Sequence, residues 1–296
     1  MCARTSDPEA LIHALPIWRG PIAIEPLLGG ITNKNYLVTD SERRAVVRFG
    51  GDIPVHGVMR FNELAASRAA GDAGISPKVL YAAPSLLVLD FVAGQTFSAA
   101  DVRKNRERCV ALVKRVHRDI AAHLRGPILS FNVFHIIRDY AHTLIEDDSR
   151  MAPKIPGFLA ASATLERAVG PIDLVFAHND LLAANFIDDG KRLWLVDWDY
   201  AGWNSPLFDL GGLSSNNGFT SADNDAMLED YFAAPAADAL RHRFHAMLCA
   251  SLLREAMWSM VSESRSTIQF DYVSYTDENL RRFEAAWVEF RNMERT

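Results

Sequence analysis

The segment of residues 174–202 constrains the fold of this chain more than any other. Two short apolar runs, Leu174–Ala177 and Leu193–Val196, each end in a polar cluster, and Asp188-Asp189-Gly190 between them is typical of a turn. We predict that the two runs pair like the strands of a hairpin. The polar residues that this pairing would gather at one end are Asp180, Asn185 and Asp197.

These three side chains predict phosphoryl transfer. Carboxylate and amide oxygens are ligands that suit Mg²⁺, and a further carboxylate without a cation can serve as a general base. Asp and Asn are also common in turns, so each residue alone would be interpreted as turn chemistry. The ordered string His178-Asn179-Asp180-x4-Asn185, followed later by Val196-Asp197-Trp198, is much harder to explain as turns, and we interpret it as catalytic.

The same strings resemble a known family. His178–Phe186 and Val196–Gly202 are similar to the catalytic-loop and metal motifs of the choline/ethanolamine kinase and aminoglycoside phosphotransferase superfamily. The resemblance implies an α+β, protein-kinase-like two-lobe fold, with a small N-terminal antiparallel β lobe that carries one helix and a large, mainly helical C-terminal lobe. It also implies ATP and Mg²⁺ as cofactors, Asp180 as the catalytic base, and Asn185 and Asp197 as the metal ligands.

Bulk properties agree with an ordinary globular enzyme. At 296 residues, 49% of them hydrophobic, the chain can form two lobes or one large domain. A net charge of −6 argues against a general nucleic-acid binder, and no apolar run approaches the roughly 18 residues of a membrane span. Because there is no secretory signal and the cysteines are few and widely spaced, we expect a cytoplasmic protein with reduced thiols.

The order of predicted elements divides the chain into two lobes. Before residue 93 we predict five strands and, between the third and the fourth, one helix: Ile22–Leu28, Tyr36–Thr39, Ala45–Phe49, helix Val58–Ala73, Val79–Ala82 and Leu86–Phe91. Residues 93–95 would link a nucleotide-binding lobe, 1–92, to a catalytic and acceptor-binding lobe, 93–296. The helices predicted there are Ala99–Leu124, Phe131–Glu146, Phe158–Val169, Asn224–Phe232, Ala236–Glu263 and Asp277–Met293.

A glycine-rich loop lies between the first two predicted strands. Glycines let the backbone approach a phosphate, so that N–H groups can donate to the anion. The loop is not a P-loop, because no Gly-Lys-Ser/Thr follows it, and alone it would be an ordinary hairpin turn. It resembles the corresponding loop of choline kinases. The residues that we therefore predict at the phosphates are Gly29, Gly30, Thr32 and Asn33.

Arg48 stands inside an apolar strand, where kinases carry the lysine that binds the α- and β-phosphates. An arginine at this place resembles choline kinases, and a guanidinium group can bind phosphate as a fork. A charge within an apolar strand needs a partner. We predict that Glu63, on the following helix, is that partner; the alternative is a solvated helix acid.

Aromatic residues concentrate in the last third of the chain, where Trp258–Phe283 resembles the C-terminal signature of choline and ethanolamine kinases. A quaternary ammonium group has no hydrogen-bond donors, so aromatic faces and carboxylates must hold it. By this resemblance Tyr200, Trp258 and Tyr275 are walls of a cation cage, and Tyr272 would be a fourth. Core packing is the alternative for each of them.

Two positions depart from the eukaryotic choline kinases: Asn216 replaces an acid, and Glu255 replaces a second cage tryptophan. We hypothesise that Glu255 supplies the negative charge that Asn216 lacks. The alternative is an acceptor other than choline, such as a primary amine or another amino alcohol. Asp199 would either orient the acceptor or cap the turn before Gly202, and Asp209 would support the catalytic loop by accepting backbone N–H bonds.

The sequence thus predicts an ATP-dependent small-molecule kinase that phosphorylates the hydroxyl group of choline or a related amino alcohol. The alternatives are a kinase for thiamine, an aminoglycoside or a sugar, and a catalytically inactive binding protein of the same fold. The intact Asp180, Asn185 and Asp197 argue against the inactive protein. A protein kinase is disfavoured because no Ala-Pro-Glu follows Asp197 as the end of an activation segment. The acceptor and the oligomeric state stay open, with a homodimer among the options.

Overall fold

The computed structural model describes residues 7–27 and 33–295. Within this part of the chain an antiparallel sheet with a helix precedes a mainly helical region, which confirms the predicted fold class. Three residues of the predicted phosphate loop, Gly29, Gly30 and Thr32, lie outside the described residues. The division at residues 92 and 93 stays a prediction.

The N-terminal sheet has five strands in the spatial order β1-β2-β3-β5-β4, and all neighbours are antiparallel. Its elements are β1 (Ala23–Leu27), β2 (Lys34–Thr39), β3 (Arg44–Phe49), β4 (Val79–Ala83), β5 (Leu86–Asp90) and, between β3 and β4, the helix α2 (Arg60–Asp72). A short helix that we did not predict, α1 (Pro8–His13), packs Ile12 against Val38, Val47 and Val88 on one face of the sheet. Arg48 therefore lies in the central strand, opposite Leu87.

The C-terminal region contains the helices α3 (Ala99–Lys104), α4 (Arg106–Asp119), α5 (Val133–Glu146), α6 (Ile155–Val169), α7 (Pro206–Asn217), α8 (Ser221–Phe232), α9 (Asp238–Arg265) and α10 (Tyr272–Met293). The 28-residue α9 packs against α5, α6, α7 and α10 and forms the centre of the core. The single helix predicted over 99–124 is wrong, because Asn105 interrupts it. The Asn105 side chain donates to the Asp101 carbonyl oxygen at 2.9 Å and so competes with the helical backbone.

Helix α7 was not predicted, because its adjacent glycines, Gly211 and Gly212, lower helix propensity. Tertiary packing explains one of them. A Cβ atom at Gly211 would lie 3.1 Å from the Leu248 Cα atom, so the glycine lets α7 approach α9 closely.

The predicted hairpin is wrong in its pairing. The strand β7 (Val175–Ala177) pairs with β10 (Gly202–Asn204), and the hairpin is formed by β8 (Phe186–Asp188) with β9 (Leu193–Leu195), beside the two-residue β6 (Gln95–Thr96). A three-residue strand such as β8 is too short to show an alternating pattern in the sequence. Asp180, Asn185 and Asp197 still lie at one end of these strands as predicted, since β7 leads into residues 178–185 and β9 leads into Asp197.

Contacts between α2 and the C-terminal region fix the two parts of the chain against each other. Asn62 donates from Nδ2 to the Ala201 carbonyl oxygen at 2.7 Å and accepts at Oδ1 from the Leu129 backbone at 2.9 Å. At the predicted linker, a Cβ atom at Gly94 would lie 2.5 Å from the Asp188 carbonyl oxygen, so the chain needs glycine there. None of the helices in residues 7–27 and 33–295 is long and apolar enough to cross a membrane.

Candidate active site

A buried carboxylate holds the catalytic loop, which we define as residues 178–185. Asp209, in the first turn of α7, accepts the backbone N–H groups of His178 at 2.9 Å and Asn179 at 2.7 Å, and its Oδ2 lies 2.9 Å from His117 Nε2. Burial alone would raise the pKa of Asp209, but the hydrogen bond and charge of His117 hold it below its usual range. The predicted support of the loop by Asp209 is confirmed.

Two residues of the site have left-handed backbones: φ is 66° at Asn179 and 72° at Asp197. Such angles cost free energy in residues other than glycine and persist only where the surroundings enforce them. At Asn179 the enforcing contacts are hydrogen bonds, because Nδ2 donates to the Tyr200 carbonyl oxygen at 2.9 Å and Oδ1 accepts from Asn204 at 2.8 Å. The loop is therefore tied to the chain around β10.

The three residues of the predicted catalytic group lie together. Asn185 donates from Nδ2 to the Asp180 carbonyl oxygen at 2.8 Å, and the Asn185 carbonyl oxygen accepts the Val196 N–H at 3.0 Å, one residue before Asp197. His178 Nε2 lies 3.0 Å from the Val196 carbonyl oxygen, as expected for a scaffold residue. These contacts join the catalytic loop to the residue before Asp197 and do not use the carboxylate oxygens of Asp180 or Asp197.

The two aspartates of this group differ in proton affinity. Removal from water, the neighbouring Asp197 and the more distant Glu255 raise the pKa of Asp180, while Arg254 opposes that rise. Desolvation would also raise the pKa of Asp197, but the charge and hydrogen bond of Arg48 lower it. Two neighbouring carboxyl groups with pKa values shifted in opposite directions are typical of an acid–base residue beside a permanent anion. Asp180 fits the general base, and Asp197 fits a metal ligand.

Arg48 is at the centre of a buried charged cluster. Its Nη1 atom donates to Glu63 Oε1 at 3.0 Å and to Asp197 Oδ1 at 2.7 Å, and it lies 3.3 Å from Asp199 Oδ1. The predicted contact between Arg48 and Glu63 is therefore present. The role of this pair toward a nucleotide stays a prediction.

A second guanidinium group, that of Arg60, belongs to the same cluster and was missed. Its Nη1 atom donates to Glu63 Oε2 at 2.6 Å and to Asp199 Oδ1 at 3.0 Å, and its Nε donates to the Gly51 carbonyl oxygen at 2.8 Å. The signal in the sequence was the spacing of Arg60 and Glu63, since residues three apart are neighbours on a helix. The cluster thus sets two cations against three carboxylates.

Asp199 does not cap the turn before Gly202 in the described contacts, and its role toward the acceptor stays a prediction. It accepts hydrogen bonds from both arginines of the cluster and, at Oδ2, from Asn33 Nδ2 at 2.9 Å. Burial and the nearby Asp197 raise the pKa of Asp199 to about 7. The carboxylate lies on the side of Arg48 and Arg60, and no contact in the described residues places it with the aromatic side chains.

The residues of this cluster fit a nucleotide with Mg²⁺. Arg48 Nε and Arg60 Nη2 are buried and have no hydrogen-bond partner among the described residues. Buried donors of this kind are costly unless a ligand satisfies them, and phosphate oxygens would do so. Asn185 and Asp197 offer two oxygen ligands. In kinases Mg²⁺ takes one or two ligands from the protein and further ligands from the phosphates of the substrate.

The predicted cage residues lie against one another. Trp258 donates from Nε1 to the Tyr200 hydroxyl oxygen at 2.9 Å, and its ring lies 6.0 Å from Tyr272 and 6.2 Å from Tyr275, centroid to centroid, in edge-on geometry. Phe270, which we had not singled out as a wall, lies 5.0 Å from Tyr272 and 5.6 Å from Tyr275. We call these five residues the aromatic cluster. The role of this cluster as a cation-binding cage stays a prediction.

Glu255 lies beside the aromatic cluster, and both of its oxygens are engaged. Oε1 accepts from the Tyr275 hydroxyl at 2.9 Å, and Oε2 accepts from Arg254 Nη1 at 2.7 Å. The Arg254 guanidinium carbon lies 4.7 Å from the centre of the Tyr200 ring and 5.2 Å from that of Phe131. Sequence reasoning missed Arg254, which is paired with Glu255. The hypothesis that Glu255 supplies the charge that Asn216 lacks stays a prediction.

Fold and site together define a kinase-like phosphotransferase. The sequence profile of the phosphotransferase enzyme family APH matches residues 23–245, which is more than half of the chain, and the chain belongs to this family. It is 27% identical over 284 residues to ethanolamine kinase 2 of Mus musculus, covering 83% of this chain and 71% of that protein. Protein LicA of Haemophilus influenzae is 26% identical over 233 residues, covering 76% and 66%.

Among solved structures, a choline/ethanolamine kinase family protein from Mesorhizobium loti superposes with a TM-score of 0.80 and 28% identity, covering 96% of this chain and 95% of the other. The predicted family and its kinase-like fold are confirmed. The protein is a choline/ethanolamine kinase-like phosphotransferase, and these similarities do not fix its acceptor.

Proposed function

We propose that this protein transfers the γ-phosphoryl group of ATP to the hydroxyl group of an amino alcohol, choline or a relative of it. The observation that carries the proposal is the position of Asp180. It lies with Asn185 and with Asp197, which contacts Arg48. It is also close enough to Glu255 and Arg254, at the aromatic cluster, to be affected by their charges. The similarity to ethanolamine kinase 2 of Mus musculus supports this acceptor class.

On the nucleotide side, Arg48 and Arg60 would bind phosphate oxygens through Arg48 Nε and Arg60 Nη2, for which the described residues provide no hydrogen-bond partner. Glu63 accepts from both guanidinium groups and so orients them toward the same place. Asn185 and Asp197 would hold Mg²⁺, which when bound neutralises the phosphate charge. The chain's own contribution is to fix these groups by contacts between α2, β3 and the segment after β9.

On the acceptor side, Asp180 accepts the proton of the acceptor hydroxyl group. The hydroxyl oxygen forms a bond to the γ-phosphorus, the bond from that phosphorus to the bridging oxygen breaks, and ADP leaves with the electron pair. A raised pKa makes Asp180 a stronger base than an ordinary aspartate once it is ionised. The aromatic cluster would attract the ammonium group of the acceptor through its ring faces.

The test is ADP release, coupled to a spectrophotometric readout, with choline, ethanolamine, its methylated intermediates, thiamine and aminoglycosides as acceptors. We expect turnover with at least one amino alcohol. Asp180→Asn should lower kcat by about 10²–10⁴-fold, as for loss of a general base, and leave ATP binding largely intact. Asp173→Asn, which alters an exposed carboxylate in the same part of the chain, is the matched control and should behave as wild type.

The outcomes separate the parts of the proposal. Turnover by Asp180→Asn at the wild-type rate would remove the assigned base. A response to thiamine or aminoglycosides alone would overturn the acceptor class and leave the kinase activity standing. ADP release with none of the acceptors would overturn the proposed activity as a whole.

A further inference from the structure

The acceptor side contains a buried cation that the proposed mechanism does not use. Arg254 is 5% exposed, and its guanidinium group lies over the rings of Tyr200 and Phe131. Its Nη1 atom donates to Glu255, whereas Nε and Nη2 are buried without a hydrogen-bond partner among the described residues. An arginine cannot lose its proton in a protein, so this positive charge is permanent.

The two free donors of Arg254 form one edge of the guanidinium group. Nε–H and the adjacent Nη2–H point in parallel, which is the geometry that binds both oxygens of a carboxylate. Donors of a charged group that are buried without partners are costly. A carboxylate that reaches this edge of the guanidinium group would satisfy both donors.

The charge of Arg254 also bears on the acceptor. Its neighbours Tyr200, Glu255 and Tyr275 are residues that were predicted to hold an ammonium group, and Glu255 is already paired with it. The charge acts on the base as well, since it opposes the rise in the pKa of Asp180. An acceptor with only an ammonium group would therefore be repelled by the positive charge of Arg254. A molecule with both an ammonium and a carboxylate group could place the ammonium group near Glu255 and the carboxylate near Arg254.

We propose that the acceptor is an amino alcohol that also carries a carboxylate group. Arg254 binds the carboxylate through Nε and Nη2, Glu255 and the aromatic cluster hold the ammonium group, and Asp180 receives the hydroxyl proton. This inference rests on the proposed kinase activity and narrows its substrate class. The competing explanation is that Arg254 only neutralises Glu255 and supports the base, in which case a carboxylate on the acceptor brings no gain.

The test uses acceptor pairs that differ by one carboxylate: ethanolamine with serine, and 3-aminopropanol with homoserine. We expect wild-type kcat/KM to be at least about tenfold higher for the carboxylate-bearing member of one pair, the size of one charge-assisted contact. Arg254→Met should bring the ratio of the two kcat/KM values to one or below, mainly because KM for the carboxylate-bearing acceptor rises. Arg254→Lys keeps the charge without the fork and should lower the ratio only partly.

Arg138→Met is the matched control, because Arg138 forms an exposed ion pair with Glu166 away from the site, and it should keep the wild-type ratio. The wild-type comparison needs no variant, so it stands even if Arg254→Met fails to fold. Equal kcat/KM within both pairs, or a preference for the bare amine, would overturn this inference and leave the proposed kinase activity intact. If neither choline nor any of these four acceptors is phosphorylated, both this inference and the proposed amino-alcohol acceptor class are overturned.

Discussion

The nucleotide side and the acceptor side of the site both contain buried arginines, but they balance that charge differently. Around Arg48 and Arg60 there are three carboxylates for two cations, supplied by β3, α2 and the segment after β9. Around Arg254 there is one carboxylate, from the next residue of the same helix, and two aromatic rings. The first arrangement joins the two parts of the chain, and the second lies within one of them.

The difference has a chemical consequence. A cluster with an excess of acid can accept Mg²⁺ and polyphosphate together, because the metal is drawn to the carboxylates and the phosphates to the guanidinium groups. A balanced pair on an aromatic surface attracts neither charge strongly and instead selects for a molecule that matches its pattern. From this comparison we infer that the nucleotide side would serve phosphoryl transfer to any acceptor, while the acceptor side determines which acceptor is used.

Replacing Arg48 should have the largest effect on the nucleotide side. Arg48→Met leaves Glu63, Asp197 and Asp199 without their central cation, and loss of one partner of a buried ion pair destabilises by about 3–5 kcal/mol. Urea denaturation measures the free energy of unfolding, and ADP release should fall to background. Arg138→Met, at an exposed ion pair, should cost at most about 1 kcal/mol. If the two variants lose equal stability, the cluster does not join the two parts of the chain.

Asp209 tests the scaffold that both sides share. Asp209→Asn weakens the hydrogen bonds to the catalytic loop. The free energy of unfolding should fall by about 1.5–3 kcal/mol. The effect on kcat should be larger than the effect on KM. Because the pKa of Asp209 is lower in the folded state than the unfolded value of about 3.9, its contribution is complete above that value and is lost as the pH falls through the folded pKa.

The wild-type free energy of unfolding should therefore decrease with falling pH more steeply than that of Asp209→Asn in the window below about pH 4. Urea denaturation at a series of pH values measures both slopes. Parallel curves for the two proteins would show that Asp209 has no depressed pKa in the folded state.

The two sides also differ in how far the sequence could predict them. The spacing within His178–Asn185 is local, so we could predict that Asp180 and Asn185 lie together although the strands around them were paired wrongly. Arg60 and Arg254 lie on helices, where a charged residue ordinarily faces solvent. Their roles depend on what packs against the helix. Arg254 did carry one signal, since it stands with Glu255 between the apolar pairs Leu252-Leu253 and Ala256-Met257 in the middle of a buried helix.

The smallest expected effect comes from the hydroxyl group of Tyr275. Tyr275→Phe keeps the ring of the aromatic cluster and removes only the 2.9 Å hydrogen bond to Glu255, worth about 0.5–1.5 kcal/mol. Glu255 then has Arg254 as its remaining hydrogen-bond partner among the described residues. We expect KM for the acceptor to rise by at most about tenfold, with KM for ATP unchanged, in steady-state assays that vary each substrate separately. An equal rise in both KM values would mean that the acceptor side is not independent of the nucleotide side, and the comparison between them would fail.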